Sequence, residues 1–221
     1  MSETRTANME KRRRRILNQA RALLAEGGFD TLNLRDLAAA SDVTVPTIYN
    51  LVGNKGALLK ALVMDTFADF EALLEKQLPC PTEQVPALMM STLVKMIAQD
   101  EPYFRASNLA SERLEYEADD PSDYDLKRPT LRIFAGKLCS DAREEGLLRG
   151  EIDSDILVEL MISSNQAAMR DWAHQMISLE ELRRQSLYGF YVALAADAED
   201  SFRDRLTDWL QALRQTKYQS D

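Results

Sequence analysis

The chain has 221 residues, 45% apolar and 29% charged, with a formal net charge of −9. That length admits one large domain or two small ones with a real core, and only eight Gly and seven Pro favour helices joined by short loops. No apolar run reaches the roughly 18 residues a membrane span needs, and the opening MSETRTANMEKRRRR has no apolar stretch that would make it a secretory signal.

The first predicted helix runs from about Asn8 to Glu26, with Ile16, Ala20, Leu23 and Leu24 as its inward stripe. Lys11 to Arg15, KRRRR, lies near its start. Such a run reads either as phosphate contact or as a solvated helix face. Five consecutive residues cover more than one turn, so not all of them can face one partner.

The stretch from Thr31 to Leu59, TLNLRDLAAASDVTVPTIYNLVGNKGALL, is the most informative in the chain. Leu34, Leu37 and Ala38 share one face of a short helix, and Asn33 stands before them as an N-cap. Ser41 and Asp42 break the pattern. Thr44 then caps a second short helix with Pro46 in its first turn, where a missing N–H costs nothing. Ile48 and Val52 give this helix a buried side, which leaves Thr44, Val45, Thr47 and Asn50 facing elsewhere. A short helix docked on another, showing small polar and methyl-bearing side chains, suits a DNA major groove.

A fourth helix starts at Lys55 after an Asn54 cap and continues to about Gln77, carrying Leu58, Leu62, Phe67, Phe70 and Leu74. Pro79, Cys80 and Pro81 end it. Six further helices are predicted, over about 83–98, from Pro102 to before Asp119, from Pro129 to Gly146, from after Asp153 to Met176, from Leu179 to Ala195 and over about 199–215. Residues 1–60 hold ten Lys/Arg against six Asp/Glu, while residues 61–221 hold 17 against 30. A basic N-terminal module on an acidic body fits a protein that meets DNA through one end.

The run Ile48, Tyr49, Asn50, Leu51, Val52, Gly53, Asn54, Lys55, Leu58, Leu59 resembles the end of the DNA-binding domain of the tetracycline-repressor (TetR) family. So does the preceding part, with Gly27, Gly28 and Phe29 closing one helix and Thr31 before LRDLAAASDV. The resemblance covers roughly residues 9 to 70. Val52 stands where an aromatic is usual, Leu51 where His or Tyr is usual, Asp42 where Gly is frequent, and Pro46 where a small residue is common.

The resemblance implies an all-α fold, with a helix-turn-helix at about 33–52 inside a DNA-binding domain at 9–70. A helical ligand-binding and dimerisation domain is expected at 71–221. It implies backbone contacts from Arg35, Tyr49 and Lys55. Thr44, Val45, Thr47 and Asn50 are the base-reading candidates. None is Arg or Lys, so the commonest guanine contact is missing from this helix, and DNA shape is expected to supply part of the specificity. The resemblance also implies a homodimer on a palindromic operator, paired through its last two long helices. Ser186, Gly189, Ala193 and Ala196, with Ser164, Ala167 and Ala168 on the helix before, would allow close approach of a second helix. Packing within one chain is the other reading of those small residues.

The second domain is rich in Met and aromatics, which suits an apolar or aromatic small-molecule effector. Phe67, Met96, Phe104, Phe134, Met169 and Trp172 are the candidate lining, with Asn165 or Gln166 as orienting groups; ordinary core packing is the plainer account of each. His174, the one histidine, reads as a surface residue. The acidic residues from Glu112 to Asp125 read as a solvated loop, lacking the spacing and turn glycine of a calcium site. Cys80 and Cys139 are isolated, so reduced thiols in a cytoplasm and no metal centre are expected. No nucleophile elbow, P-loop or HExxH occurs, so neither catalysis nor a cofactor is expected. The resulting expectation is a cytoplasmic transcriptional regulator, a repressor released by its ligand. The alternative is a DNA-binding regulator or architectural protein without a ligand.

Overall fold

Local cap chemistry sets several of the helix starts. In the computed structural model, the side chains of Asn33, Asn54, Asp153 and Ser178 each accept a backbone N–H from the first turn that follows. The structure describes residues 2–117 and 129–217. The acidic stretch beyond Glu117 lies largely outside the described residues. Among the described residues there are ten α-helices: α1 (Ser2–Thr31), α2 (Leu34–Ala40), α3 (Val45–Leu51), α4 (Lys55–Glu75), α5 (Val85–Gln99), α6 (Glu101–Glu117), α7 (Pro129–Glu144), α8 (Ser154–Ala173), α9 (Leu179–Asp197) and α10 (Asp200–Lys217). A 3-10 turn at Thr82–Gln84 precedes α5, and an isolated β-bridge joins Leu148 to Ala198. The fold is all-α, as the sequence predicts. None of the described helices is long and apolar enough to cross a membrane.

The helices group into two compact units. The first takes in the chain up to Asp69 and again from Ile97 through α6; the second takes in Phe70–Met96 and the chain from α7 onward. Helix α4 therefore contributes residues to both, with the division after Asp69.

In the first unit, Ile16, Leu17, Ala20 and Leu24 of α1 are buried with Leu37 and Ala38 of α2, Ile48 of α3, and Leu58, Leu59 and Leu62 of α4. Leu17 joins the predicted stripe, while Leu23 is only half-buried. Helix α6 is fixed to this core by Tyr103. Its hydroxyl shares a hydrogen bond of 2.9 Å with Thr66 Oγ1 and donates to the Leu62 carbonyl, and Arg21 stacks over its ring at 4.6 Å. Burial pushes the Tyr103 hydroxyl up from its ordinary pKa, so it remains protonated and available as a donor. Arg21 also lies within ion-pair reach of Asp65 and Asp69, which ties α1 to α4.

In the second unit, α8 and α9 form the centre. Met161, Trp172, Leu182 and Phe190 are fully buried. The small residues of α9 serve this packing inside the chain: Ser186 and Ala193 are buried, and a Cβ added at Gly189 would lie 2.1 Å from Ser164 Oγ of α8. The apolar side chains that the helix pair leaves exposed are instead Ile156, Leu160 and Val192. Cys139 of α7 is buried, and burial followed by the charge of Asp197 pushes its thiol up to about 11, so it is neutral at physiological pH.

Candidate nucleic-acid interface

Helix α1 stops being regular at Gly28, whose φ of 75° is one that a side chain would strain. The break turns the chain toward Asn33, and Thr31 Oγ1 donates to the freed Gly27 carbonyl at 2.8 Å. Asn33 Oδ1 accepts from the backbone N–H of Arg35 and Asp36, while its amide donates to the Asp36 carboxylate. After α2 the chain reverses through Ser41 and Asp42, the latter at φ 50°. Asp42 occupies a position where the related pattern often has glycine, and Asp tolerates that conformation better than most residues. The reversal is clasped from α1, where Arg15 donates to the Asp42 carbonyl at 3.1 Å.

Thr44 takes the N-cap position of α3, but its side chain caps nothing; its hydroxyl pairs with that of Thr47 at 2.9 Å. With Ile48 buried beneath, Thr44, Tyr49 and Asn50 are exposed and Val45 and Thr47 half-exposed. Tyr49 is 55% exposed, which removes it from any core role. Val52 is half-buried at the C-cap of α3 rather than a full core residue. Asn54 Oδ1 accepts from Ala57 N–H at 2.8 Å and so opens α4.

Lys55, the first residue of α4, lies with its ammonium 4.4 Å from the centre of the Phe29 ring and 3.3 Å from the Asp30 carbonyl. These contacts hold the charge at the start of the helix, where the backbone N–H groups already favour an anion. The Asp30 carboxylate is occupied by Arg113 of α6, at 2.5 Å.

Arg35, Val45, Tyr49 and Lys55 converge on one open cleft of about 990 Å³, walled also by Asp30, Leu32, Leu34, Asp36 and the cap residues Asn33 and Asn54. Thr44, Thr47 and Asn50 stand on α3 outside that wall. The caps Asn33 and Asn54 were legible as helix starts, but cap spacing alone does not show that they share a cleft. The Asp30–Arg113 pair links positions 83 apart in sequence and carries no local signal.

The candidate effector residues divide between the units. Phe67, half-buried, and Phe104, buried edge-on to Tyr103, belong to the first. Met96, Phe134, Asn165, Met169 and Trp172 belong to the second, and all five are buried. Phe134 packs edge-on to Phe70 at 6.3 Å. The Asn165 amide donates to Ser186 Oγ at 3.1 Å and lies 3.8 Å from Met90 Sδ. Gln166 and His174 are exposed.

Residues 16–62 match the family model of bacterial regulatory proteins, tetR family. No curated protein matches the chain in sequence. Among solved structures, the fatty acid degradation regulator FadR from Bacillus halodurans is similar, at 17% identity over 81% of this chain and 96% of its own, with a TM-score of 0.66. SmeT, the repressor of the Stenotrophomonas maltophilia multidrug efflux pump SmeDEF, is similar at 20% identity over 86% and 92%, with a TM-score of 0.63. A SmeT–triclosan complex has 20% identity over 87% and 94%, with a TM-score of 0.60. Residues 16–62 thus match the model of the tetR-family DNA-binding segment, and the fold of the chain is similar to that of these solved regulators.

Proposed function

We propose that the protein is a transcriptional repressor that acts in the cytoplasm as a homodimer on a palindromic operator, and that a small apolar or aromatic molecule releases it. The observation that carries the DNA reading is the cleft itself. It gathers a guanidinium, a phenol and an ammonium at two helix starts beside the exposed face of α3. In this reading residues 9–70 form the DNA-binding domain and residues 71–221 the effector and dimerisation domain. Arg35, Tyr49 and Lys55 hold phosphates, and Thr44, Val45, Thr47 and Asn50 meet base edges and thymine methyls. The exposed Ile156, Leu160 and Val192 supply the apolar surface on which two copies pair.

Enrichment of duplexes from a random pool tests this. The wild-type chain is expected to recover a palindrome. Lys55→Ala should weaken binding about equally on all sequences and reduce the salt slope by about 1, while Asn50→Ala or Thr47→Ala should change the recovered bases. A Lys55→Ala chain with unchanged affinity and slope would remove Lys55 from the interface.

For the effector, support comes from the buried Met and aromatic side chains of the second unit and from the triclosan complex of the similar repressor SmeT. Met96, Phe134, Met169 and Trp172 are the proposed lining within that unit. Release follows only if the ligand binds one state of the dimer better than the other. With triclosan as the first probe, displacement of DNA should coincide with a change in Trp172 emission that Trp172→Phe abolishes. DNA release with Trp172 emission unchanged would place the effector elsewhere. The engagement of Asn165 with Ser186 inside the chain favours a second reading, a DNA-binding regulator without a small-molecule ligand. On that reading no probe shifts the DNA complex.

A further inference from the structure

The wall of the cleft is not uniformly basic. Arg35 and Lys55 bring two cations to it, and Asp30 and Asp36 bring two carboxylates. Those four charges sum to zero, which is a poor surface for a phosphate. Asp36 is engaged locally. It stands in the first turn of α2, where the helix N-terminus favours an acid, and it accepts from the Asn33 amide. Asp30 is engaged from outside the cleft. Its carboxylate accepts from Arg113 Nη1 at 2.5 Å, and Arg113 belongs to α6, not to the wall.

Asp30 also adjoins the cation on which the site depends. The Lys55 ammonium donates to the Asp30 carbonyl at 3.3 Å and lies 4.4 Å from the Phe29 ring. The Asp30 carboxylate is therefore an acid on the same residue that already holds Lys55. Its side chain is 76% exposed, so packing does not fix its rotamer. Two cations thus compete for one carboxylate. The guanidinium holds it, and the ammonium takes the neutral carbonyl. Docking of α6 does not need this pair. Tyr103, Phe104, Ser107 and Ala110 are the buried residues of that helix, and the Tyr103 hydroxyl bonds Thr66 and the Leu62 carbonyl. Arg113 lies beyond them, about half-exposed, and so exposed an ion pair contributes little to stability.

Resting on the DNA-binding reading above, we propose that Arg113 is a positioning residue for the phosphate site: by holding the Asp30 carboxylate, it leaves the Lys55 ammonium free for a DNA phosphate. It acts through Asp30 and touches no phosphate itself. With Asp30 neutralised by Arg113 and Asp36 bound to Asn33, the wall meets an anion as a positive surface. Without Arg113, the Asp30 carboxylate captures Lys55 and repels the phosphate that Lys55 would bind. The segment matched by the family model ends at residue 62, so a residue of α6 completes the site from outside that segment.

The test uses the full chain and a duplex recovered from a random pool by the wild type. Arg113→Gln should weaken binding by roughly 3- to 10-fold per protomer at low salt, and less at high salt. The loss should be equal on all sequences, with base preferences unchanged. The plot of log affinity against log salt should be shallower by about 1 per protomer, the loss of one phosphate contact. Its melting should stay close to that of the wild type, because the Tyr103 anchor is untouched. Asp30→Asn, which removes the acid, should bind more tightly than wild type at low salt. Asp30→Asn/Arg113→Gln should recover most of what Arg113→Gln loses. A residue that merely fastens α6, or that meets DNA directly, gives a different pattern, in which the double variant stays as weak as Arg113→Gln. That result would overturn the proposal, as would wild-type affinity and slope in Arg113→Gln. If Arg113→Gln does not fold, Asp30→Asn decides alone, and binding weaker than wild type overturns the proposal. Lys55→Ala separates this proposal from the reading beneath it. Unchanged affinity and slope in Lys55→Ala, or recovery of no duplex by the wild type, would overturn both. A loss in Lys55→Ala without one in Arg113→Gln would overturn the role of Arg113 alone.

Discussion

Replacing Asp197 by alanine is expected to lower folding stability by about 2–4 kcal/mol, among the largest effects of any single truncation outside the apolar core. Asp197 ends α9 and is buried. One of its carboxylate oxygens accepts the Gly150 N–H at 2.9 Å; the other accepts those of Glu151 and Ile152 at 2.9 and 3.1 Å. Its own carbonyl accepts the Arg149 N–H at 2.8 Å. One side chain thus satisfies the whole turn that leads into the Asp153 cap of α8. Alanine strands three partly buried donors, each worth about 1–3 kcal/mol if water does not replace the carboxylate. Because the loop is only part-buried, the total is set below the simple sum. Asp197→Asn keeps one acceptor oxygen but turns an NH2 group toward an N–H, so its loss should be intermediate. Denaturant titration measures both. A shift in ΔG under about 0.5 kcal/mol for the alanine variant, the range of ordinary surface changes, would show that solvent satisfies the turn unaided.

That carboxylate was illegible in the sequence, and the reason is general to what was missed. Asn33, Asn54 and Asp153 were readable as caps because a cap bonds within three residues of itself. Asp197 bonds across 45–47 residues, and nothing in its neighbourhood announces the partner. Thr44 shows the limit of local chemistry. Its position at the start of α3 was correct, but its hydroxyl turns to Thr47 instead of capping a backbone group. The early start of α1, at Ser2 instead of about Asn8, escaped notice because periodicity needs apolar residues, and this segment offers only Met9 and Ala7. The cleft was legible one residue at a time, as Arg35, Tyr49 and Lys55. Its assembly depends on the break at Gly28 and on Phe29 under the Lys55 ammonium, which only the folded chain displays.

The small-residue stripe of α9 teaches the same point and yields a prediction whose sign separates two effects. Spacing revealed that a second helix comes close, but not whose helix it is. Helix propensity alone makes Gly189→Ala favourable by up to about 1 kcal/mol, since glycine is a poor residue in a helix interior. Packing says the reverse. A methyl group at 189 would sit 2.3 Å from Ser164 Cβ and 2.1 Å from its Oγ, so α8 and α9 must part or Ser164 must leave its place. Overpacking of this kind costs about 1–3 kcal/mol, which outweighs the propensity gain. The single variant is therefore expected to be less stable than wild type. Adding Ser164→Gly should recover much of the packing loss beyond that substitution's own helix cost, giving a clear coupling in a double-mutant cycle. The proposed pairing of two copies through Ile156, Leu160 and Val192 should persist in Gly189→Ala wherever the chain remains folded, whereas Leu160→Lys should weaken self-association in light scattering with little effect on the melting of the chain. If Gly189→Ala instead stabilises the protein, the contact with Ser164 is not the one that sets the spacing of α8 and α9. If it abolishes self-association in a chain that melts like wild type, the stripe belongs to the interface between copies after all.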